Sequence, residues 1–426
     1  MANTNLTASI IAAEAVTILE NQCVMGNLVY RGYEQEFAQD INGYTVGQTI
    51  NVRRPADFTI RTGRTASVQD VVEGQFPIVV NTQVGVDFQF SAQELTQNIR
   101  TLSERVIRPA MIQIANKIDQ DLAALATFSN NWVGTPGNLI GPFASLGRVA
   151  ERMDLLGVPQ QDRAIVVGPS DFWSVASSAT TLYMQQVAQD SYRNGRIGML
   201  ANIDTYMSQN VLSFARGTAV TCTLNSLFTA SYTATANNNT QSLAFSFLTT
   251  QSINAGDVFT MSSVYAVNSV TKASLNYLQQ FVVVAAAGGT GTVTATITPP
   301  IITSGAFQTC SAAPTASTAV TFLGTASLNY TQNLGFQKNA LVLCMVPLVK
   351  PPGAVDVSRQ TYKGYSVRVI PYYSGTNDIS SWRLDVLYGV KCVDRRAVVR
   401  ASGKAQVYGA SPPDAGGANA AGSSAS

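Results

Sequence analysis

The chain contains no histidine. Without imidazole there is no Ser-His-Asp triad, no ordinary base working near neutral pH and no histidine-ligated metal. The cysteines add no chemistry: Cys23, Cys222, Cys310, Cys344 and Cys392 are odd in number, far apart and never in CxxC spacing. This pattern predicts free thiols in a reducing compartment and speaks against a thiolate zinc site or a disulfide framework. Charge is scarce as well, at 12% of 426 residues, about half the usual share. A chain this long with so little charge is expected to turn much of its surface toward other protein. The formal net charge is +2 and there is no basic run, so tight binding to nucleic acid is not expected. The N-terminal MANTNLTASIIAAEAVTILE lacks a basic n-region, and Glu14 interrupts its apolar stretch. That predicts an amphipathic helix, neither signal peptide nor membrane span, and an intracellular product.

With 46% hydrophobic residues the chain can bury a sizeable core, divided by its length into two or three compact units. Residues 7 to 29 keep helical spacing through Ile10, Ile11, Ala15, Ile18 and Leu19, with Thr7 as a cap. From Gly43 to Phe90 the pattern changes to strands, TVGQTINVRRP and FPIVVNTQVGVDFQF, around the polar tip DFTIRTGRTASVQDVVEG. Such a two-stranded excursion has little core of its own and is expected to lean on a neighbour. Ser91 and Glu94 form a capping box ahead of a helix running through Leu102, Val106, Met111, Ile114, Ile118, Leu122 and Leu125, with Pro109 as a bend or a first turn. AIVVGPSDFW reads as strand, tight turn and helix start. Residues 218 to 345 carry only Asp257, Lys272 and Lys338 as charges, and their Thr, Ser, Ala and Asn content predicts an all-β unit. The tail SPPDAGGANAAGSSAS is low in complexity and expected to be disordered.

Each apparent motif has a plain alternative. Asp119 and Asp121 could form a carboxylate pair, but neighbouring acids on a helix more often line a solvated or ion-paired face. GGTGTV at 288–293 follows a strand but precedes another strand, where a phosphate loop needs a helix, so a hairpin turn is expected. In Gly168-Pro-Ser-Asp171, Ser170 or Asp171 is expected to accept amide bonds as a cap. Arg53, Arg54, Arg61 and Arg64 on the excursion suit interfacial ion pairs with carboxylates, against the alternative of a solubilising loop. SWRLDVLYGVKCVDRRAVV, 381–399, alternates as a strand until Asp394-Arg395-Arg396. A catalytic corner, a binding site and a subunit contact are all open there.

The order of parts resembles the major capsid proteins of tailed phages with the Hong Kong ninety-seven fold. Within these it is most similar to the coat proteins of P-twenty-two-type short-tailed phages, which carry an inserted β domain. The resemblance rests on INAGDVFTMSSVYAVNSVTKASLNYLQQFVVVAAAGGTGTVTATITPPII (253–302), where Gly256-Asp257 opens a strand and Thr298-Pro299-Pro300-Ile301 closes the unit. GPSDFWSVAS, YRNGRIGMLANIDTYMSQNVL and LYGVKCVDRRAVV carry it further. It implies an α+β fold with an N-terminal arm at 1–42, an extended loop at 43–90, and a spine helix and peripheral domain at 91–138. Axial-domain segments follow at 139–217 and 346–394, around an inserted barrel-like domain at 218–345. A peripheral return strand at 395–410 and a disordered tail at 411–426 complete the chain.

The function implied is structural, without enzymatic activity or cofactor. Subunits would assemble as pentamers and hexamers into an icosahedral procapsid around a scaffolding protein, in the cytoplasm of a bacterial host. Portal protein and a decoration protein are further implied partners, and the mature virion would enclose DNA without specific binding. Arg53, Arg54, Arg61 and Arg64 would contact a neighbouring subunit, with Glu94 and Glu104 as acidic partners, and Asp394, Arg395 and Arg396 would form a domain hinge. Some relatives lock their shells through a lysine in the extended loop; here the first lysine is Lys117, so a non-covalent shell is expected. The alternative, a secreted or virion-surface adhesin or fibre, rests on the Thr/Ser/Asn-rich stretch alone.

Overall fold

Ala8, Ile11, Ala12, Ala15, Val16 and Leu19 are all buried, and their three- and four-residue spacing puts them on one side of a helix. In the computed structural model this is α1 (Ala8–Gln22), followed by a short α2 (Met25–Leu28). The structure describes residues 8–33, 40–41, 44–45, 49–53, 58, 60, 63–66, 68, 75–91, 103–141, 143–179, 198–225, 240–351, 357–375 and 378–403. Strand β1 (Asp40–Ile41) pairs with β2 (Tyr44–Thr45), and β3 (Thr49–Arg53) with β4 (Gln75–Val79). β3 and β4 form the two-stranded ribbon expected of the excursion, while its last residues, 82–91, join a different sheet. The chain divides into two units. One comprises Met1–Val52, Pro77–Leu122 and Leu341–Lys391; the other comprises Arg53–Phe76, Ala123–Ala340 and Cys392–Ser426.

The first unit joins α1 and the long helix α3 (Arg108–Ala124) to a five-stranded sheet. A π-helical turn, Ser103–Ile107, precedes α3, so Pro109 stands where regular α-helical bonding begins and its missing N–H does little harm. Ser91 ends a strand and Glu94 lies outside the described residues, as does the capping box they were expected to form. The sheet contains β5 (Thr82–Ser91), β19 (Leu341–Met345), β20 (Ser358–Tyr362), β21 (Tyr365–Ser374) and β22 (Ile379–Cys392), ordered β19-β22-β21-β20 with β5 also on β22. Lys363 and Gly364, both at positive φ, make the two-residue turn between β20 and β21, as right-twisted hairpins require. The apolar face of β22 is the expected one: Leu384, Val386 and Tyr388 are fully buried. Leu384 lies opposite Val86 and Val369.

The second unit centres on a six-stranded mixed sheet, ordered β6-β23-β18-β7-β9-β8. Its strands are β6 (Asn131–Val133), β7 (Arg163–Val167), β8 (Met199–Leu200), β9 (Ile203–Met207), β18 (Asn333–Gln337) and β23 (Val398–Ala401). Helix α4 (Phe143–Leu155) buries Leu146, Val149 and Met153. It sits close enough that a Cβ on Gly335 of β18 would be 2.9 Å from Val149 Cγ1. Helix α5 (Pro169–Ala179) follows β7 directly, as AIVVGPSDFW predicts. Asp171 accepts amide bonds, though not from its own helix: Ile140 N and Asn333 Nδ2 donate at 2.8 and 2.9 Å.

Between β10 (Ser213–Ala215) and β17 (Asn329–Thr331), which pair with each other, the chain makes a closed barrel. Its strands are β11 (Thr221–Leu224), β12 (Gln241–Ile253), β13 (Val258–Val267), β14 (Ser274–Val283), β15 (Ala287–Thr298) and β16 (Ala319–Phe322), closing in the order β11-β12-β15-β14-β13-β16. Phe245, Phe247, Phe259, Phe281 and Phe322 fill the interior.

The structure corrects four expectations. The barrel ends at Phe322, short of residue 345, because β18 and β19 join the two larger sheets. Thr298-Pro299-Pro300-Ile301 does not close the unit, since β16 still follows. The hairpin turn lies at 284–286, ahead of GGTGTV, whose glycines belong to β15. There Gly291, at φ +78, faces the register shift of β12 between Phe247 and Gln251. Finally, the sheet of 358–392 falls with the long helix and not with β7 and β9, while β23 joins β7's sheet. β22 takes its register from β5, whereas β23 pairs with β18 and β6.

Candidate interaction surfaces

Asp394-Arg395-Arg396 forms a single 3-10 turn between β22 and β23. Asp394 caps it, accepting Arg396 N at 3.0 Å. The Arg396 guanidinium returns to the same carboxylate, Nε to Oδ1 and Nη2 to Oδ2, both at 3.1 Å. Both side chains are substantially exposed, so this fork contributes about 1 kcal/mol or less. Arg395 donates to Thr298 Oγ1 at the end of β15. The preceding backbone N–H groups of Val393 and Asp394 donate to Ala340 O at 2.8 and 3.4 Å. The carboxylate caps its own turn, and the passage from one unit to the other falls beside it, between Lys391 and Cys392.

Of the ribbon arginines, Arg54 and Arg61 lie outside the described residues, and Arg53 ends β3 with its side chain outside them. Arg64 is described and exposed, next to Gly63 at φ +111. Glu94 is outside the described residues. Glu104 sits in the π-helical turn with its side chain likewise outside. Pairing between these arginines and acids is thus beyond what the described residues hold. The ribbon also displays Phe58, Ile60 and Val68, the last two more than nine-tenths exposed. They lie between β3 and β4 in the sequence, and exposed apolar side chains of this kind mark a surface that gains by meeting protein.

One ionic centre escaped the reading of the sequence. Asp385, 1% exposed, meets Arg368 Nη2 at 2.6 Å and Arg383 Nε at 2.8 Å. Gly85 lies directly opposite in register, and a Cβ there would come 2.5 Å from Asp385 Oδ1. The missing side chain makes room for the carboxylate. The pattern Arg383-Leu-Asp385 signals only the outer face of a strand; the decisive glycine is on another strand, far away in the sequence.

Asp119 on α3 accepts the N–H groups of Val24, Met25 and Gly26 at 2.9, 3.1 and 3.2 Å, capping α2 from outside. Burial pushes its pKa up to about 6, with the three amides acting against the rise. Burial, helped by Asp119, pushes the Cys23 thiol up to about 12, which leaves it inert toward nucleophilic chemistry at neutral pH. Asp121 engages Lys117 Nζ and the Tyr388 hydroxyl, each at 2.6 Å. Asp121 is thus ion-paired, as the plain alternative for the two acids expected, whereas Asp119 is buried and unpaired with any cation among these contacts, holding backbone amides instead.

Among the described residues no helix is long and apolar enough to cross a membrane, and no group of three or more acids and cysteines could hold a metal ion. No curated protein sequence matches the chain. Among solved structures it is similar to one from Mycobacterium phage Che8, at 12% identity over 89% of this chain and 90% of that one, TM-score 0.47. It is also similar to the mature capsid of bacteriophage PhiM1, at 12% identity over 84% and 82%, TM-score 0.40. A third likeness is to the capsid of Staphylococcus phage Andhra, at 10% identity over 88% and 83%, TM-score 0.38. The family described as P22 coat protein - gene protein 5 matches residues 1–400. That match spans both units, the ribbon and the barrel: the chain belongs to the P22 coat protein family and is a structural protein of a phage capsid.

Proposed function

We propose that this coat protein is the major shell subunit, assembling as pentamers and hexamers into an icosahedral procapsid around a scaffolding protein. The mature head then encloses double-stranded DNA. The observation that carries this reading is the match of the coat-protein family to residues 1–400, and the surface chemistry agrees with it. Charge amounts to 12% of the chain, so a shell wall can surround DNA without the phosphate neutralisation that would make it grip. Repetition by symmetry makes weak contacts sufficient and keeps them reversible during growth.

In this reading the unit with α3 and the five-stranded sheet is the peripheral domain, the six-stranded sheet is the axial domain, and the barrel is the inserted domain. The ribbon lies across an adjacent subunit through Arg53, Arg54, Arg61, Arg64 and its apolar tip, with Glu94 and Glu104 of that neighbour within its reach. The turn at Asp394, Arg395 and Arg396 is the hinge between peripheral and axial parts. Portal protein and an outer decoration protein are the remaining partners, and assembly takes place in the host cytoplasm.

Negative-stain microscopy of the chain co-expressed with its scaffolding protein tests this. Closed shells are expected. The double variant Arg54→Ala, Arg61→Ala should lower shell yield at unchanged subunit folding. Soluble monomers with no shells under any scaffold ratio would overturn the reading; full shell yield in the double variant would overturn the role of the arginines alone.

A further inference from the structure

The last described stretch of chain, from Val393 to Gly403, crosses the second unit as a strap. Its strand, β23, lies between β6 and β18. Polar side chains sew it in place: Ser129 Oγ donates to Val398 O at 2.8 Å, and Trp132 Nε1 donates to Ser402 Oγ at 2.9 Å. Ser402 N in turn donates to Val133 O at 2.9 Å.

Two arginines of the strap reach beyond the sheet to the barrel. Arg400 is fully buried. It donates to Gly256 O in the β12–β13 turn at 2.8 Å, to Thr127 O at 3.0 Å and to Gln332 Oε1 at 3.3 Å. Next to Gly256, the buried Asp257 accepts Asn254 N at 2.8 Å and Gly217 N at 3.2 Å, and its charge faces both Arg400 and Arg216. The second arginine, Arg395, holds Thr298 Oγ1 where β15 ends. The barrel is thus gripped at two separate points by residues that are not part of it. Other ties hold it as well: the three residue pairs of β10 and β17, Gln280 of β14 exchanging hydrogen bonds with Trp132 of β6, and Asn268 and Ser269 donating to the carbonyls of Leu155 and Leu156 where α4 ends.

Chain order gives this arrangement its meaning. Every barrel strand, and every other strand of the six-stranded sheet, precedes β23 in the sequence. Until the strap is seated, the oxygens of Thr127, Gly256 and Gln332 lack their cationic donor, and a buried acceptor left without its donor destabilises its surroundings. We propose that the strap is a latch that closes last: the neck, Gln280 and the 268–269 turn hold one side of the barrel, and the β12–β13 turn and the end of β15 become fixed only when Arg400 and Arg395 engage them. A subunit with the strap displaced keeps its barrel closed but loosened at 254–257 and around Thr298. This goes beyond the role of the chain in a shell and stands on the subunit alone.

Hydrogen–deuterium exchange of the full-length subunit, read by mass spectrometry, tests the latch. In Arg400→Met, amides at 254–257 and 329–332 should exchange at least ten-fold faster than in the parent chain, while β12 and β15 keep their protection. Arg395→Ala should do the same around Thr298. Arg396→Ala, whose fork returns to Asp394, should leave all three regions unchanged. Parent-like protection at 254–257 in Arg400→Met, or uniform loss across barrel and sheet in Arg395→Ala, would overturn the proposal. If Arg400→Met does not fold, Arg395→Ala decides.

Discussion

Asp119 shows how a single carboxylate can hold the N-terminal segment in place. It is 2% exposed, so ionising it means keeping a charge out of water, while the three amides of Val24, Met25 and Gly26 favour the charge. Desolvation wins, and the pKa rises from 3.8 to about 6. The folded chain therefore holds this proton more tightly than the unfolded one. The linked stability is fully present below about pH 4 and is lost as pH rises through about 6. The rise corresponds to a loss on the order of 3 kcal/mol. Urea unfolding of the subunit at pH 4.5 and 7.5 checks this against Asp119→Asn. The variant should lack the part of the pH dependence that the carboxyl contributes, and identical pH profiles for the two chains would refute it.

Among the elements, β22 is where reading the sequence worked and where it stopped. Alternation identified the strand and its buried face, since Leu384, Val386 and Tyr388 report period two locally. Local pattern says nothing of partners, however. β22 does pair with β21 in GYSVRVIPYY, but its ten-residue register with β5 joins stretches far apart in the chain, and grouping it with β7 and β9 instead of the long helix followed from that. The barrel is the converse case, because its lack of charge is a property of the whole stretch and survived without any knowledge of pairing. Its C-terminal edge was misplaced because β18 and β19 are as free of charge as the barrel itself. The ionic centre at Asp385 was missed for the same reason as the sheet, since Gly85 acquires its meaning only across the ladder. Gly85→Ala should destabilise the subunit by about 2 kcal/mol or more, through overpacking against the carboxylate and the Leu384 carbonyl. A shift of less than about 0.5 kcal/mol in denaturant unfolding, the usual scatter of surface substitutions, would show that β5 yields without cost.

For the whole molecule, composition sets the terms of assembly. The ribbon sequence from 43 to 90 contains no lysine, so it has no amine with which to join a neighbour covalently. Mature particles should run on a denaturing gel as one band near 45.2 kDa, and a ladder of multiples would contradict a non-covalent shell. The neck of the barrel has a wider consequence. Ala215 and Asn329 are cross-strand partners, so the chain leaves and re-enters the body at one spot. In the language of inheritance the barrel is a cassette: a lineage could lose it by closing that gap with a tight turn, without rethreading any other strand. Excision would leave Arg395 and Arg400 without their barrel acceptors. The cassette and the residues that fasten it, nearly two hundred positions apart at Arg216 and Arg400, are therefore bound to change together.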